Sequence, residues 1–395
     1  MSVADWAVTS LPWHGELAEL KGRLVSLFHR SETREQVSLY LDGLIGGVER
    51  KNGWQLAEHA GDESPWRMQA VLGRGFWDAE HARDICRNYV VDRLGDPAGV
   101  LILDETGFVK KGTHSVGVAR QYSGTAGRIE NCQIGVFLSY ASPKGHALID
   151  RRLYLPQDWS EDAERRTETH VPDDVVFATK PKIGTAMVKA ALDAGVPCAW
   201  VLGDCVYGSD KGLRMMLENH GKPYVLCVRG NERLVIDGSF RSRTAENVAA
   251  DLTPQDWHRL PAGQGSKGPR LYDWARVRLL RLQAPPLEHW LLIRRSTADP
   301  TDMAFFVTFA AHTTELRDLA AVAGLRWTIE ECFQSAKGET GLDQYEARSW
   351  HAWHRHVTLS MLAFAFLAGL RARLLEIPAP IASAKANKRS LSAAI

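Results

Sequence analysis

Residues 99–108, GVLILDETGF, decide how the chain is read. A short apolar run closes on an acid, Asp104, and then on a glycine, which is the pattern of a buried strand. Residues 198–208, CAWVLGDCVYG, repeat the pattern with Asp204. An acid at the end of a buried strand faces the mouth of a sheet, where a rigid element can hold a metal ligand. Either aspartate alone reads as easily as a turn or cap residue. As a pair on neighbouring strands they point to a site.

Outward from Asp104, NCQIGVFLSYAS (131–142) and GHALIDRRLYLP (145–156) read as two strands joined by a Pro-Lys-Gly turn. Residues 184–194 read as a helix leading into the Asp204 strand. A helix over 210–219 and the strand PYVLCVRG (223–230) follow. Three strands, then helix, strand, helix, strand is the order of a ribonuclease H-like mixed α/β sheet. From 231 to 312 the alternation stops. WARVRLLRL, HWLLIRRS and MAFFVTFA read as strands of a β-rich insertion. The next helix is expected to start near Thr313 or Thr314, with a hydroxyl cap, and to break around Gly324. A helix over 350–375 closes the pattern. Ahead of the core, residues 14–95 are mostly helical, with Leu17, Leu20, Leu24, Leu27 and Phe28 at helical spacing. Such helices suit either a DNA-contacting module or plain packing. The expected divisions are 1–97 helical, 98–230 first part of the core, 231–312 insertion, 313–349 core helix and 350–395 C-terminal helix and tail.

The third acid comes from LRWTIEECFQSAKGE (325–339). At about 100° per residue, Ile329, Cys332, Phe333 and Ala336 form the apolar stripe. Arg326, Glu330 and Lys337 cluster roughly a right angle away, and Glu331 points to solvent. Glu330 is therefore the better third ligand, although Arg326 and Glu330 at i,i+4 also fit a simple helical ion pair. Three carboxylates suit Mg²⁺, with Mn²⁺ as substitute, because hard oxygen ligands leave room for water and phosphate. Two ions ~3.5–4 Å apart can clamp an in-line phosphodiester displacement. Arg326, Lys337 and the turn residues Lys110 and Lys111 are candidate DNA-phosphate contacts, a solvated turn being the other reading of the last two.

DETGFVKKGTHSVGVARQYSGTAGRIENCQIGVFLSYASPKGHALIDRRLYLP, GDCVYG and IEECFQSAKGETGLDQYEARSWHAWHRH resemble transposases of the insertion sequence 701 family. The resemblance covers roughly residues 35 to 375. It implies a DDE-type enzyme with a ribonuclease H-like core, Asp104 and Asp204 as the first two catalytic acids and Glu330 as the third. It also implies metal-dependent cleavage at insertion-sequence ends and strand transfer into target DNA. The implied partners are double-stranded DNA, as terminal inverted repeats and target, and a second copy of the chain in the active complex. The spacing Arg326-x3-Glu330-x6-Lys337 resembles the Y-x2-R-x3-E-x6-K signature of related transposases, with Ala323 where that signature has tyrosine.

Composition sets looser bounds. The chain has 395 residues, 45% hydrophobic and 24% charged, with a formal net charge of +1. That length allows two or three structural units. Six widely spaced cysteines without a C-x-x-C pair argue against structural zinc or a disulfide framework and fit a reducing cytoplasm, where the enzyme would meet the nucleoid. No leader pattern indicates export. Val357 to Leu370 falls short of the ~20 residues a membrane span needs, and reads as a buried helix. Residues 259–281 carry six Lys or Arg against Asp273, a basic face or an ordinary solvated strand. His351 and His354 in WHAWHRH read as helix surface or a DNA-facing patch rather than as metal ligands. The final ASAKANKRSLSAAI is weakly basic and suggests a second reading: an altered copy that binds transposon ends without cutting them.

Overall fold

Val100 to Leu103 are fully buried because they form the middle of a sheet covered on both faces. The computed structural model describes residues 3–236, 241–265, 268–280 and 287–376. Helices α1 (Val3–Arg23), α2 (Ser31–Ile45), α3 (Gly53–His59), α4 (Trp66–Gly73) and α5 (Ala79–Leu94) come first. Strands β1 (Val100–Val109), β2 (Ala119–Ser123), β3 (Arg128–Ser142) and β4 (Gly145–Tyr154) follow. Helices α6 (Gln157–Ser160), α7 (Ala163–Glu168) and α8 (Lys180–Asp193) lead to β5 (Trp200–Gly203), α9 (Cys205–Gly208), α10 (Lys211–Asn219) and β6 (Tyr224–Val228). The insertion holds β7 (Arg233–Val235), β8 (Ser242–Thr244), α11 (Ala245–Ala250), β9 (His258–Gly265), β10 (Gly268–Arg278), β11 (Leu287–Ser296) and β12 (Met303–Ala311). Helices α12 (Leu316–Gly324), α13 (Thr328–Thr340) and α14 (Trp350–Glu376) complete the described chain.

The core runs β4-β3-β1-β5-β6. β1 is antiparallel to β3 and parallel to β5, and β5 is parallel to β6. This is the ribonuclease H-like arrangement expected from the element order. Strands β9–β12 of the insertion extend the core sheet, while β7 and β8 pair in a small two-stranded sheet of their own. β12 pairs antiparallel with β6, Phe306 opposite Cys227, and β11, β10 and β9 continue outward. The core sheet and strands β9–β12 are thus one hydrogen-bonded surface.

β2 carries no strand signal in the sequence. Its residues ARQYS pair with the polar start of β3 at the sheet edge, so no apolar alternation marks them. The helix after the insertion begins at Leu316, not at Thr313 or Thr314. Glu315 is its cap residue, and its backbone N–H donates to Asp318 Oδ2 at 3.3 Å. The break falls at Gly324, followed by a 3₁₀ turn, Leu325–Trp327.

Helix α14 covers the expected 350–375 and extends beyond its apolar run, Val357 to Leu370, at both ends. Trp350–Leu375 spans 26 residues and is long and apolar enough to cross a membrane by length and composition. It is wrapped by α2, α4, α5 and β4, with Trp353, Met361, Leu362 and Phe366 fully buried. Each such side chain contributes roughly 1.5–3 kcal/mol over an exposed one. Buried Arg151 of β4 ties the layers together, donating to Glu80 on α5 at 2.7 Å and to Thr358 Oγ1 on α14 at 2.7 Å. His354 and His356 also lie inside, which corrects the surface reading of WHAWHRH for His354. His356 is held between Tyr40 Oη and the Gly341 carbonyl, and only His351 of the first pair is exposed. The C-terminal ASAKANKRSLSAAI lies outside the described residues, as do Lys267 and Arg281 of the basic stretch.

Candidate active site

The parallel ladder between β1 and β5 ends at Leu103 opposite Gly203. The next residue on each strand is an aspartate, so Asp104 and Asp204 stand side by side where the two backbones part. β5 does end there. β1 does not: it stays paired to β3 as far as Val109, so Asp104 lies mid-strand at the end of one ladder only. Strand alternation puts Asp104, Thr106 and Phe108 on the face covered by α13 and α14, and Leu103 and Glu105 on the α8 face.

Asp204 caps α9, its Oδ1 accepting the N–H groups of Val206 at 2.8 Å and Tyr207 at 3.4 Å. The short helix can turn here because Gly208 sits on the backbone of β6. A Cβ at that position would come within 1.8 Å of the Cys227 carbonyl oxygen. Asp104 accepts the Glu105 N–H at 2.8 Å. Burial and the neighbouring Asp204 charge push the Asp104 carboxyl up to about 7, against the pull of Arg326. Asp204 is raised as well, by burial and by the charge of Glu105.

Helix α13 turns the expected faces to the expected places. Ile329, Cys332, Phe333 and Ala336 are buried, and Glu331 is exposed. Arg326 joins two of the acids: its guanidinium donates to Asp104 Oδ2 at 3.4 Å and to Glu330 Oε1 at 2.8 Å. Lys337 reaches over the same face to Thr106 Oγ1 at 2.8 Å and to the Gly107 carbonyl at 3.3 Å. Burial pulls its ammonium below the usual lysine range. Ala323 is buried in α12, so the tyrosine of the related signature has no counterpart at that position.

Lys110 and Lys111 differ. Lys110 lies 3.5 Å from the Tyr345 ring centroid and donates to the Tyr345 carbonyl at 3.1 Å, inside the fold. Burial pulls it down to about 8. Lys111 is exposed.

A cluster behind the acids has no signal in the sequence. Glu105 accepts from Lys180 Nζ at 2.7 Å and from the Tyr207 hydroxyl at 2.7 Å. Tyr207 is fully buried, and Gly184 of α8 leaves the room its ring fills. Glu105 directly follows Asp104, and the Tyr207 N–H already serves Asp204. The cluster therefore fastens the two acid-bearing strands together just past the point where their ladder stops.

Adjacent carboxylates raised by burial and by neighbouring acid charges, Asp204 on Asp104 and Glu105 on Asp204, are what a divalent cation relieves, so Asp104 and Asp204 fit a metal. Glu330 meets Asp104 through Arg326 rather than directly. Among the described residues no three His, Cys, Asp or Glu side chains are grouped closely enough to hold an ion together.

Residues 23–247, more than half of the chain, match the family described as DDE superfamily endonuclease, and residues 175–366 match a transposase DDE domain. Both matches include Asp204. The chain is 26% identical over 331 residues to the probable transposase for insertion sequence element IS701 of Microchaete diplosiphon, covering 81% of this chain and 78% of that protein. Among solved structures, the NurA nuclease from Sulfolobus solfataricus aligns over 60% of this chain and 80% of its own at 11% identity, with a TM-score of 0.27. That score is too low to speak for a shared fold.

Proposed function

The chain belongs to the DDE superfamily of endonucleases, and from that premise we propose that Asp104, Asp204 and Glu330 are its three metal-holding acids. The enzyme is a DDE-type transposase, acting on DNA in transposition with a divalent metal. Asp104 and Asp204 hold the metal, Mg²⁺ or Mn²⁺ and two ions in the full complex, and Glu330 joins them once Arg326 turns from it to DNA. Held by these acids, a divalent metal would supply activation of the attacking water or 3′-hydroxyl and stabilisation of the leaving oxygen. The observation that carries this reading is the Asp104–Asp204 pair at the ladder's end, with Arg326, Glu330 and Lys337 over the same face.

The chain's own residues have separable tasks. Asp104 and Asp204 supply oxygens from a rigid sheet, which keeps reorganisation small. Arg326 suits a phosphate because its planar fork can grip two oxygens. Lys337 adds a second positive charge along the strand, and exposed Lys111 a third. Lys110 is the weakest of the four proposed DNA contacts, since its ammonium is already engaged by Tyr345. The substrates are double-stranded terminal repeats and target DNA, and two copies of the chain would bring two ends together. Action at the bacterial nucleoid in the cytoplasm follows from that substrate.

The test uses labelled duplexes carrying the element's own ends, a supercoiled plasmid and Mg²⁺ or Mn²⁺. Joined products support a transposase. Cleavage without joining would favour a plain nuclease, and specific end binding without cleavage would favour a repressor-like copy.

A further inference from the structure

Cys205 follows Asp204 directly and opens α9, and its Sγ lies 2.8 Å from Sγ of Cys227 on β6. A disulfide bond is about 2.05 Å long, so the sulfurs are ~0.8 Å from bonding distance. The backbones are close as well. Gly208, at the other end of α9, rests on the Cys227 carbonyl with no room for a side chain. Of the six cysteines, Cys86, Cys132, Cys198 and Cys332 are buried, whereas Cys205 and Cys227 are both only partly buried. The two cysteines that are only partly buried are therefore the two that face each other. Cys227 also lies opposite Phe306, at the seam where the core sheet passes into the insertion.

We propose that Cys205 and Cys227 form an oxidisable dithiol whose cross-linking weakens metal binding at Asp204. The oxidant is a small-molecule disulfide. A Cys205 thiolate attacks one sulfur of that disulfide, forming a mixed disulfide and releasing one thiolate. Cys227 Sγ then attacks Cys205 Sγ, forming the protein disulfide and expelling the second thiolate. The two cysteine protons end on the released thiols, and two electrons pass from the protein to the reagent. A reducing thiol reverses the exchange. In a reducing compartment such a bond is transient and regulatory rather than structural.

The consequence at the site follows from the connectivity. Closing the bond draws the first residue of α9 toward β6. The Val206 and Tyr207 N–H groups that orient Asp204 Oδ1 belong to the same four-residue helix. A metal site tolerates displacements of only about 0.5 Å, so a pull of this size is felt at the carboxylate. This part rests on the proposed metal role of Asp204; the thiol chemistry does not.

The experiment equilibrates the full chain with oxidised or reduced glutathione, removes the reagent and makes two measurements. Thiols are counted under denaturing conditions and the linked peptides identified by mass. Mn²⁺ binding is followed by the loss of the free-ion electron paramagnetic resonance signal. We expect six thiols to fall to four, a Cys205–Cys227 cross-link, and Mn²⁺ affinity at least fivefold weaker until a reducing thiol restores it. Cys227→Ser should bind Mn²⁺ as the reduced wild type does and lose the response, and Cys205→Ser is a second variant that cannot cross-link. Six free thiols after oxidation, only a glutathione adduct, or a cross-link that leaves Mn²⁺ affinity unchanged would each overturn the proposal. Failure of the reduced protein to bind Mn²⁺ at all would instead contradict the metal role of Asp204, and with it the coupling proposed here.

Discussion

Gly324, the last residue of α12, lies against Ala262 of β9 so closely that a Cβ on the glycine would sit 1.8 Å from the alanine carbonyl oxygen. The glycine has an ordinary helical φ of −66°, so closeness rather than backbone freedom explains it. A helical Gly→Ala change normally stabilises by up to ~1 kcal/mol. Here the sign should reverse. Gly324→Ala should lose about 1–3 kcal/mol in denaturant unfolding, because a backbone carbonyl cannot swing aside. Cleavage should fall too, since the 3₁₀ turn carrying Arg326 starts at this contact.

Asp104 gives a pH prediction. Its carboxyl titrates near 7 in the folded, metal-free chain and near 3.9 when unfolded. Between those values the native state binds more protons than the unfolded state, so stability falls as pH rises from about 4 through 7. Above pH 7 the full cost applies, on the order of 4 kcal/mol from this group alone. Asp104→Asn should therefore match the wild type near pH 4 in chelator and exceed it at pH 8. Equal stability at pH 8 would show that Asp104 is not strained by its surroundings.

Arg326 should not be replaceable by lysine. One ammonium cannot serve Asp104 and Glu330 with the geometry of a planar fork. Arg326→Lys and Arg326→Ala should both reduce single-turnover cleavage by roughly 10²-fold or more, the scale of losing one fixed charge contact in a transition state. Recovery of most activity in the lysine variant would reduce the arginine to a simple positive charge.

Tyr207→Phe removes a single hydroxyl from the Glu105 cluster. The expected loss is about 1 kcal/mol in stability. Because the cluster fastens both acid-bearing strands, a several-fold drop in Mn²⁺ affinity should accompany it. Glu105→Gln leaves one amide oxygen for two donors, Lys180 and the tyrosine hydroxyl, and removes the charge paired with Lys180, so it should weaken Mn²⁺ binding more than Tyr207→Phe does.

Much of the architecture could be read from short apolar runs. Val100–Leu103 and Trp200–Gly203 are strands because their neighbours on both faces are apolar, and each run is followed by its aspartate. The helical faces of α13 followed from periodicity alone, and Gly324 marked the break before it. Edge strand β2 escaped because its exposed residues carry no apolar alternation. Lys110 looked like a free cation because nothing local shows Tyr345, more than two hundred positions away, folding over it. His354 was placed on a surface because its helix gave no sign that α5 and β4 would enclose it. The Glu105–Lys180–Tyr207 cluster joins three distant segments and has no spacing to betray it. The position of Asp104 beside Asp204 depended on strand register, which the sequence left open.

The most direct test of the acid pair is single-turnover cleavage of a labelled terminal-repeat duplex in Mg²⁺, wild type against Asp204→Asn, with DNA affinity measured in parallel. The account predicts that the variant binds the duplex as tightly as wild type and cuts it at least 10³-fold more slowly. Cleavage at the wild-type rate by Asp204→Asn would contradict the assignment of the metal-holding acids.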